Sequence, residues 1–273
     1  MTNHTTRAVG ILFATLMVLG CALASPAVLN STSTAVPRAT GTAAPSPLPS
    51  TSPTAQAGSP AALPTATPPA QTIKIMPLGD SITAGWPGLA YGGYRRRLGL
   101  LLTGDGYHID FVGSLQIGAG VMPDPDNEGH YGWNITQIKA GIDTRGWLET
   151  YQPDLILLHI GTNDLHEPDP AAAPDRLSAL LDDILGRLPR VKVIVAQIIP
   201  YRAGMDPLHQ AYNAAIPGLV AARRARVSLV DMQTILSSAD YADGIHPNAS
   251  GYDKMAAAWE PAIRAVISTT QFQ

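Results

Sequence analysis

The stretch that decides the fold is Ile73-Lys74-Ile75-Met76-Pro77-Leu78-Gly79-Asp80-Ser81-Ile82-Thr83. Its first six residues read as a strand. The Gly-Asp-Ser that follows reads as a sharp turn into a helix, with Gly79 giving the backbone freedom to turn. A serine on such a turn presents its hydroxyl at the mouth of a sheet, and the new helix offers free N–H groups beside it. Asp80 or Ser81 as a plain helix cap is the local alternative.

Outward from this point, short apolar runs alternate with longer amphipathic ones. Strands are predicted over 109–112, 154–160, 191–196 and 227–230, and helices over 94–102, 174–188, 207–224 and 249–267. The continuous apolar run around Leu155-Ile156-Leu157-Leu158 predicts a strand buried on both faces. Such alternation predicts a parallel sheet covered by helices on both sides, with ligands beyond the carboxyl ends of the strands.

Three more motifs fall on that edge. Gly161-Thr162-Asn163-Asp164 follows the third strand, and Asn163 can aim an amide N–H at a charged oxygen. Asp243-Gly244-Ile245-His246-Pro247-Asn248 precedes the last helix. Asp243 stands three residues before His246, a spacing that lets a carboxylate hold one ring nitrogen while the other takes a proton from serine. Glu128-Gly129-His130-Tyr131-Gly132-Trp133-Asn134-Ile135 lies between strands two and three, where a glycine brings a backbone N–H close to substrate. Each motif alone also fits a cap or turn; their joint placement on one edge is what argues for chemistry.

The rest of the chain bounds the function. Of the 273 residues, 1–70 hold no Asp or Glu and only Arg7 and Arg38, so all 21 acidic residues and 16 of the 18 Lys and Arg lie in 71–273. A mildly acidic domain lacks the basic footprint of nucleic-acid binding. The single cysteine, Cys21, excludes an internal disulfide, a thiolate metal site and a cysteine hydrolase. Residues 1–24 read as a secretory signal. Within it, Val18-Leu19-Gly20-Cys21 marks possible lipidation at Cys21, and Ala22-Leu23-Ala24 offers ordinary cleavage. Residues 25–70 are rich in Ser, Thr, Pro, Ala and Gly, with ten prolines, and read as an extended spacer. The folded domain is assigned to 71–273. The expectation is an exported chain, secreted or held at the cell surface, with possible membrane attachment through an N-terminal lipid.

These blocks, in order, resemble the SGNH (GDSL) hydrolases, and the resemblance runs from residue 73 to about 267. It implies a flavodoxin-like three-layer α/β/α sandwich with a five-stranded parallel sheet. It also implies a catalytic Ser81–His246–Asp243 and an oxyanion hole from Ser81 N–H, Gly132 N–H and the Asn163 side chain. Ile75 to Thr83, Gly92-Gly93-Tyr94-Arg95, Asp110 to Ser114 and Glu128 to Trp133 resemble, more narrowly, the acetylxylan-esterase-like carbohydrate esterases. That implies O-acetyl groups on xylan or a related polysaccharide as substrate, with no cofactor. Tyr131 departs from the commoner serine of the glycine block. A lipase- or lysophospholipase-like esterase and a noncatalytic carbohydrate-binding lipoprotein are the alternatives.

Asp80, Tyr94, Arg95, Trp133 and His166 are expected to border substrate; Tyr91, Tyr94 and Trp133 read equally as rings that stack on a sugar or as buried aromatic packing. Arg95-Arg96-Arg97 also reads as a solvated helix face. His159 reads as a core residue; His108 and His209 read as surface residues. Asp124, Asp126 and Glu128 imitate the start of a calcium loop, but the twelfth position is Ile135, so no metal is assigned.

Overall fold

The computed structural model describes residues 71–88 and 92–270. The expected signal segment with Cys21, the expected spacer, and Tyr91 lie outside the described residues. Seven strands and seven α-helices follow in the order β1 (Ile73–Gly79), α1 (Ser81–Ala84), α2 (Gly93–Gly104), β2 (Ile109–Phe111), β3 (Leu115–Gln116), β4 (Asp126–Gly129), α3 (Ile135–Arg145), α4 (Trp147–Tyr151), β5 (Leu155–His159), α5 (Ala173–Arg187), β6 (Lys192–Ala196), α6 (Pro207–Ala221), β7 (Val227–Val230) and α7 (Ala249–Thr269). Among the described residues no helix is long and apolar enough to cross a membrane.

The five expected strands form a parallel sheet in the order β2-β1-β5-β6-β7. Two short strands add to it. The lower half of β1 pairs with β2, and its upper end, at Leu78 and Gly79, pairs with β4. β3 runs antiparallel to β4. Neither β3 nor β4 has an apolar run to announce it: β4 is Asp-Asn-Glu-Gly.

Two-residue periodicity sorts the strand side chains into two cores. Met76, Leu78, Ile156, Leu158, Val193 and Val195 face α3, α4, α5 and α6. Ile75, Leu155, Leu157, Ile194 and Ala196 face α2 and α7, where Trp259 is fully buried. β5 is buried along its whole length, as its continuous apolar run predicts.

The basic face expected on α2 is only partly there. Arg96 and Arg97 are exposed, but Arg95 is fully buried. Its guanidinium donates to the carbonyls of Thr83, Ala84, Ile117 and Pro125, tying α2 to α1 and to the loops around β3 and β4. Burial lowers its pKa to about 10, so it stays charged at neutral pH. Arg95→Met keeps the apolar stem but leaves buried carbonyls without donors. It is expected to destabilise the domain by at least about 3 kcal/mol in urea unfolding.

Candidate active site

The site is built where β1 ends. Gly79 is needed there for space rather than for an unusual backbone angle: a Cβ would sit 2.1 Å from the His159 carbonyl oxygen of β5. That contact sets the point at which the chain turns into α1. Asp80 caps α1, accepting from the Ile82 N–H at 2.9 Å. Ser81, the first helical residue, thus emerges partly exposed from a buried turn. Its N–H belongs to the first turn and has no acceptor within the helix.

His246 comes from 165 residues further along the chain, and its Nε2 lies 2.9 Å from Ser81 Oγ. Its Nδ1 lies 2.9 Å from Asp243 Oδ2. The other oxygen, Asp243 Oδ1, accepts from the backbone N–H groups of Ile245 and His246, each at 2.7 Å. Partial burial pushes the Asp243 carboxyl up, but these two N–H groups and the imidazole outweigh it and hold the acid below its ordinary range. The acid is therefore an ionised acceptor, which fixes the tautomer with its proton on Nδ1 and its lone pair toward serine.

Asp240 anchors this loop from below. It accepts from the Ser237 N–H and hydroxyl, from Ser250, and from Lys254 at 2.6 Å. Asn248 caps α7 through the Gly251 N–H. Tyr241 donates to the Pro200 carbonyl, which seats the loop on the segment after β6.

Gly132 follows β4 with φ of 72°, a left-handed conformation, and a Cβ there would meet only open space. The requirement for glycine is therefore one of backbone angle. Asn163 opens a single 3₁₀ turn after β5 and donates to the Trp133 carbonyl at 2.9 Å, which holds its amide beside the Gly132 segment. Its neighbour Asp164 is buried and accepts from the Ile135 N–H and from Arg176, so the turn is pinned to α3 and α5.

Several expected contacts are corrected. Asp80, Tyr94 and Arg95 are fully buried and cannot border substrate in this arrangement. Tyr94 packs on Trp259, with ring centroids 5.9 Å apart. The Trp133 ring is taken up by an internal stack, 4.1 Å from His130 and beneath Arg145. His130 also stacks on Trp147 and bonds to Glu128, which in turn receives the Ser114 N–H and hydroxyl. Asp124 accepts from the Phe111 N–H. Glu128 and Asp124 thus serve protein donors. His166 is exposed and shares a hydrogen bond with Tyr201 at 2.9 Å. His209 is buried, bonded to the Ile199 carbonyl, rather than on the surface. His159 is a core residue as read, and burial lowers its pKa to about 4. His108 is exposed.

The sequence does not single out Asp240, the Asp164–Arg176 pair or Trp86, and it shows Tyr131 only as a departure in the glycine block, not its exposed pairing with Trp86. One readable signal was passed over: Asn134 and Gln137 form a reciprocal capping box that starts α3 beside Gly132.

Comparison with known proteins gives a family and structural neighbours. Residues 78–254 match the GDSL-like Lipase/Acylhydrolase family. A family 3 carbohydrate esterase from Clostridium thermocellum is 38% identical, with a TM-score of 0.63 over 72% of this chain and 99% of that one. An acetyl esterase mutant solved with an acetate ion is 30% identical, with a TM-score of 0.61 over 72% of this chain and 98% of that one. A multidomain esterase of Ruminococcus flavefaciens is 35% identical over 70% of this chain, and the match spans 28% of that protein's length. Fold and site together define a carboxylic ester hydrolase. The chain belongs to the GDSL-like lipase/acylhydrolase family, and its structural neighbours include family 3 carbohydrate esterases.

Asp80 also yields a test. Burial pushes its carboxyl up to about 7, the Ile82 N–H offsets part of that, and Asp164 adds to the rise. An unfolded aspartate titrates near about 4, so the unfolded chain loses this proton first and folding stability falls as pH rises from about 4 to about 7. Asp80→Asn preserves the cap and removes the titration. In urea unfolding across that window, the stability of Asp80→Asn minus that of the wild type is expected to rise with pH and level off above about 7.

Proposed function

We propose that the protein removes small acyl groups, above all O-acetyl groups, from xylan or a related polysaccharide, through an acyl-enzyme on Ser81. The observation that carries this reading is the unbroken relay of two 2.9 Å contacts from Ser81 Oγ through His246 to Asp243.

His246 Nε2 takes the hydroxyl proton as Ser81 Oγ bonds to the ester carbonyl carbon. The carbonyl electrons move onto oxygen, and the Ser81 N–H, the Gly132 N–H and the Asn163 amide stabilise that charge. The tetrahedral adduct collapses, the sugar alkoxide leaves with the proton from His246, and the acyl group remains on Ser81. Water, deprotonated by His246, then attacks the acyl carbon; the second adduct collapses, the acid leaves, and His246 returns the proton to Ser81 Oγ. Asp243 stays ionised and stabilises the imidazolium that forms in each half.

The likeness to an acetyl esterase and to a family 3 carbohydrate esterase supports a small acyl group on a saccharide. The openness of the site supports a polymeric substrate. His246 is 16% exposed and Asp243 46% exposed, so the relay is reached from solvent rather than through a closed cavity.

Ser81→Ala is expected to abolish hydrolysis of p-nitrophenyl acetate while the protein stays folded; undiminished turnover would remove Ser81 from the mechanism. Asn163→Ala is expected to lower kcat by about 10²–10³-fold, the usual cost of one oxyanion donor. Acetylated xylan should release acetate, and p-nitrophenyl esters should be cleaved more slowly as the acyl chain lengthens. A preference for long chains would favour a lipase-like enzyme.

A further inference from the structure

Among the described residues, Trp86 and Tyr131 are two of the few large apolar side chains exposed to solvent, at 41% and 43%. They meet edge to face, with centroids 5.6 Å apart and an interplanar angle of 76°. The Trp86 ring also lies 6.5 Å from the His246 ring, at 73°. Two nearly perpendicular aromatic surfaces therefore form a corner directly beside the imidazole.

The corner rests on a fixed backbone. Trp86 N–H donates to the Ser81 carbonyl at 3.0 Å, and its own carbonyl accepts from the Tyr252 hydroxyl. Tyr131 stands between His130, whose N–H donates to the Gly79 carbonyl at 2.9 Å, and Gly132. Both rings are thus carried on segments tied to the strand and turn that present Ser81. Burial within the fold does not account for their position, since each leaves a large apolar area in water next to the reacting groups.

We propose that Trp86 and Tyr131 form a saccharide subsite that stacks on the pyranose ring bearing, or next to, the scissile acyl group. Sugars present an apolar face of C–H groups that packs on aromatic rings, while their hydroxyls stay hydrated at the rim. Two rings at a right angle contact one sugar on a face and on an edge, which fixes its orientation as well as its distance from Ser81. The subsite acts on the alcohol side of the ester and sets substrate choice. It rests on the esterase reading above and adds to it the residues that distinguish a sugar ester from a simple one.

The test compares an acetylated xylo-oligosaccharide with p-nitrophenyl acetate. Trp86→Ala and Tyr131→Ala are each expected to lower kcat/KM for the oligosaccharide about tenfold more than for the nitrophenyl ester, mainly through KM. That is the scale of removing one stacked aromatic face. Trp86→Phe should restore most of the difference. Equal losses on both substrates, or none, would overturn the proposal. Calorimetric titration of Ser81→Ala protein with the same oligosaccharide, with and without Trp86→Ala, reads the subsite without turnover. Affinity should fall about tenfold on loss of the indole; unchanged affinity would overturn the subsite. If the wild type cleaves neither ester, the hydrolase reading fails, and the titration still decides the subsite.

Discussion

Everything in this site depends on one close approach, that of Gly79 on β1 to the His159 carbonyl on β5. The two strands are hydrogen-bonded neighbours, and no side chain fits between them at that level. The turn that follows carries Ser81, and the strand it abuts carries Asn163 four residues past its own end. A larger residue at 79 would push β1 away from β5 and would separate Ser81 from Asn163 in the same movement.

The remaining groups reach this point through independent anchors. β4 pairs with the upper end of β1 and brings the Gly132 segment alongside; the stacked His130, Trp133 and Trp147 hold that segment's shape. α7 packs against α2, and Asp240, Asn248 and Tyr241 fix the loop before it, so that Asp243 and His246 arrive already bonded to each other. Preorganisation of this kind means that the imidazole and the N–H donors need little rearrangement as charge develops on substrate.

Much of this was legible in the sequence because the responsible residues act locally. Leu155 to Leu158 is apolar throughout because both faces of β5 are covered. Asp243 and His246 are three residues apart because the carboxylate bonds back to its own loop. What was not legible depends on how distant segments meet. Arg95 reads as one of three surface arginines until α1 and the loops around β3 and β4 are seen to turn four carbonyls toward it. Asp80 reads either as a helix cap or as a residue bordering substrate, and only the packing around the turn shows that the cap holds it fully buried. Trp86 belongs to no motif, and Tyr131 is legible only as a departure within the glycine block; only tertiary placement brings these two aromatic residues together in water, with Trp86 beside His246. β3 and β4 are short and lack an apolar run, so the pairing of β4 with β1 and of β3 with β4, rather than composition, makes them strands.

The central claim is that one hydroxyl, Ser81 Oγ, is made nucleophilic by His246. Its most direct measurement is reaction of the folded protein with a fluorophosphonate probe, followed by peptide mass spectrometry to locate the adduct. The account predicts a single adduct on Ser81 whose formation is strongly slowed in His246→Ala. A folded protein that does not label, or labels at another residue, would contradict it.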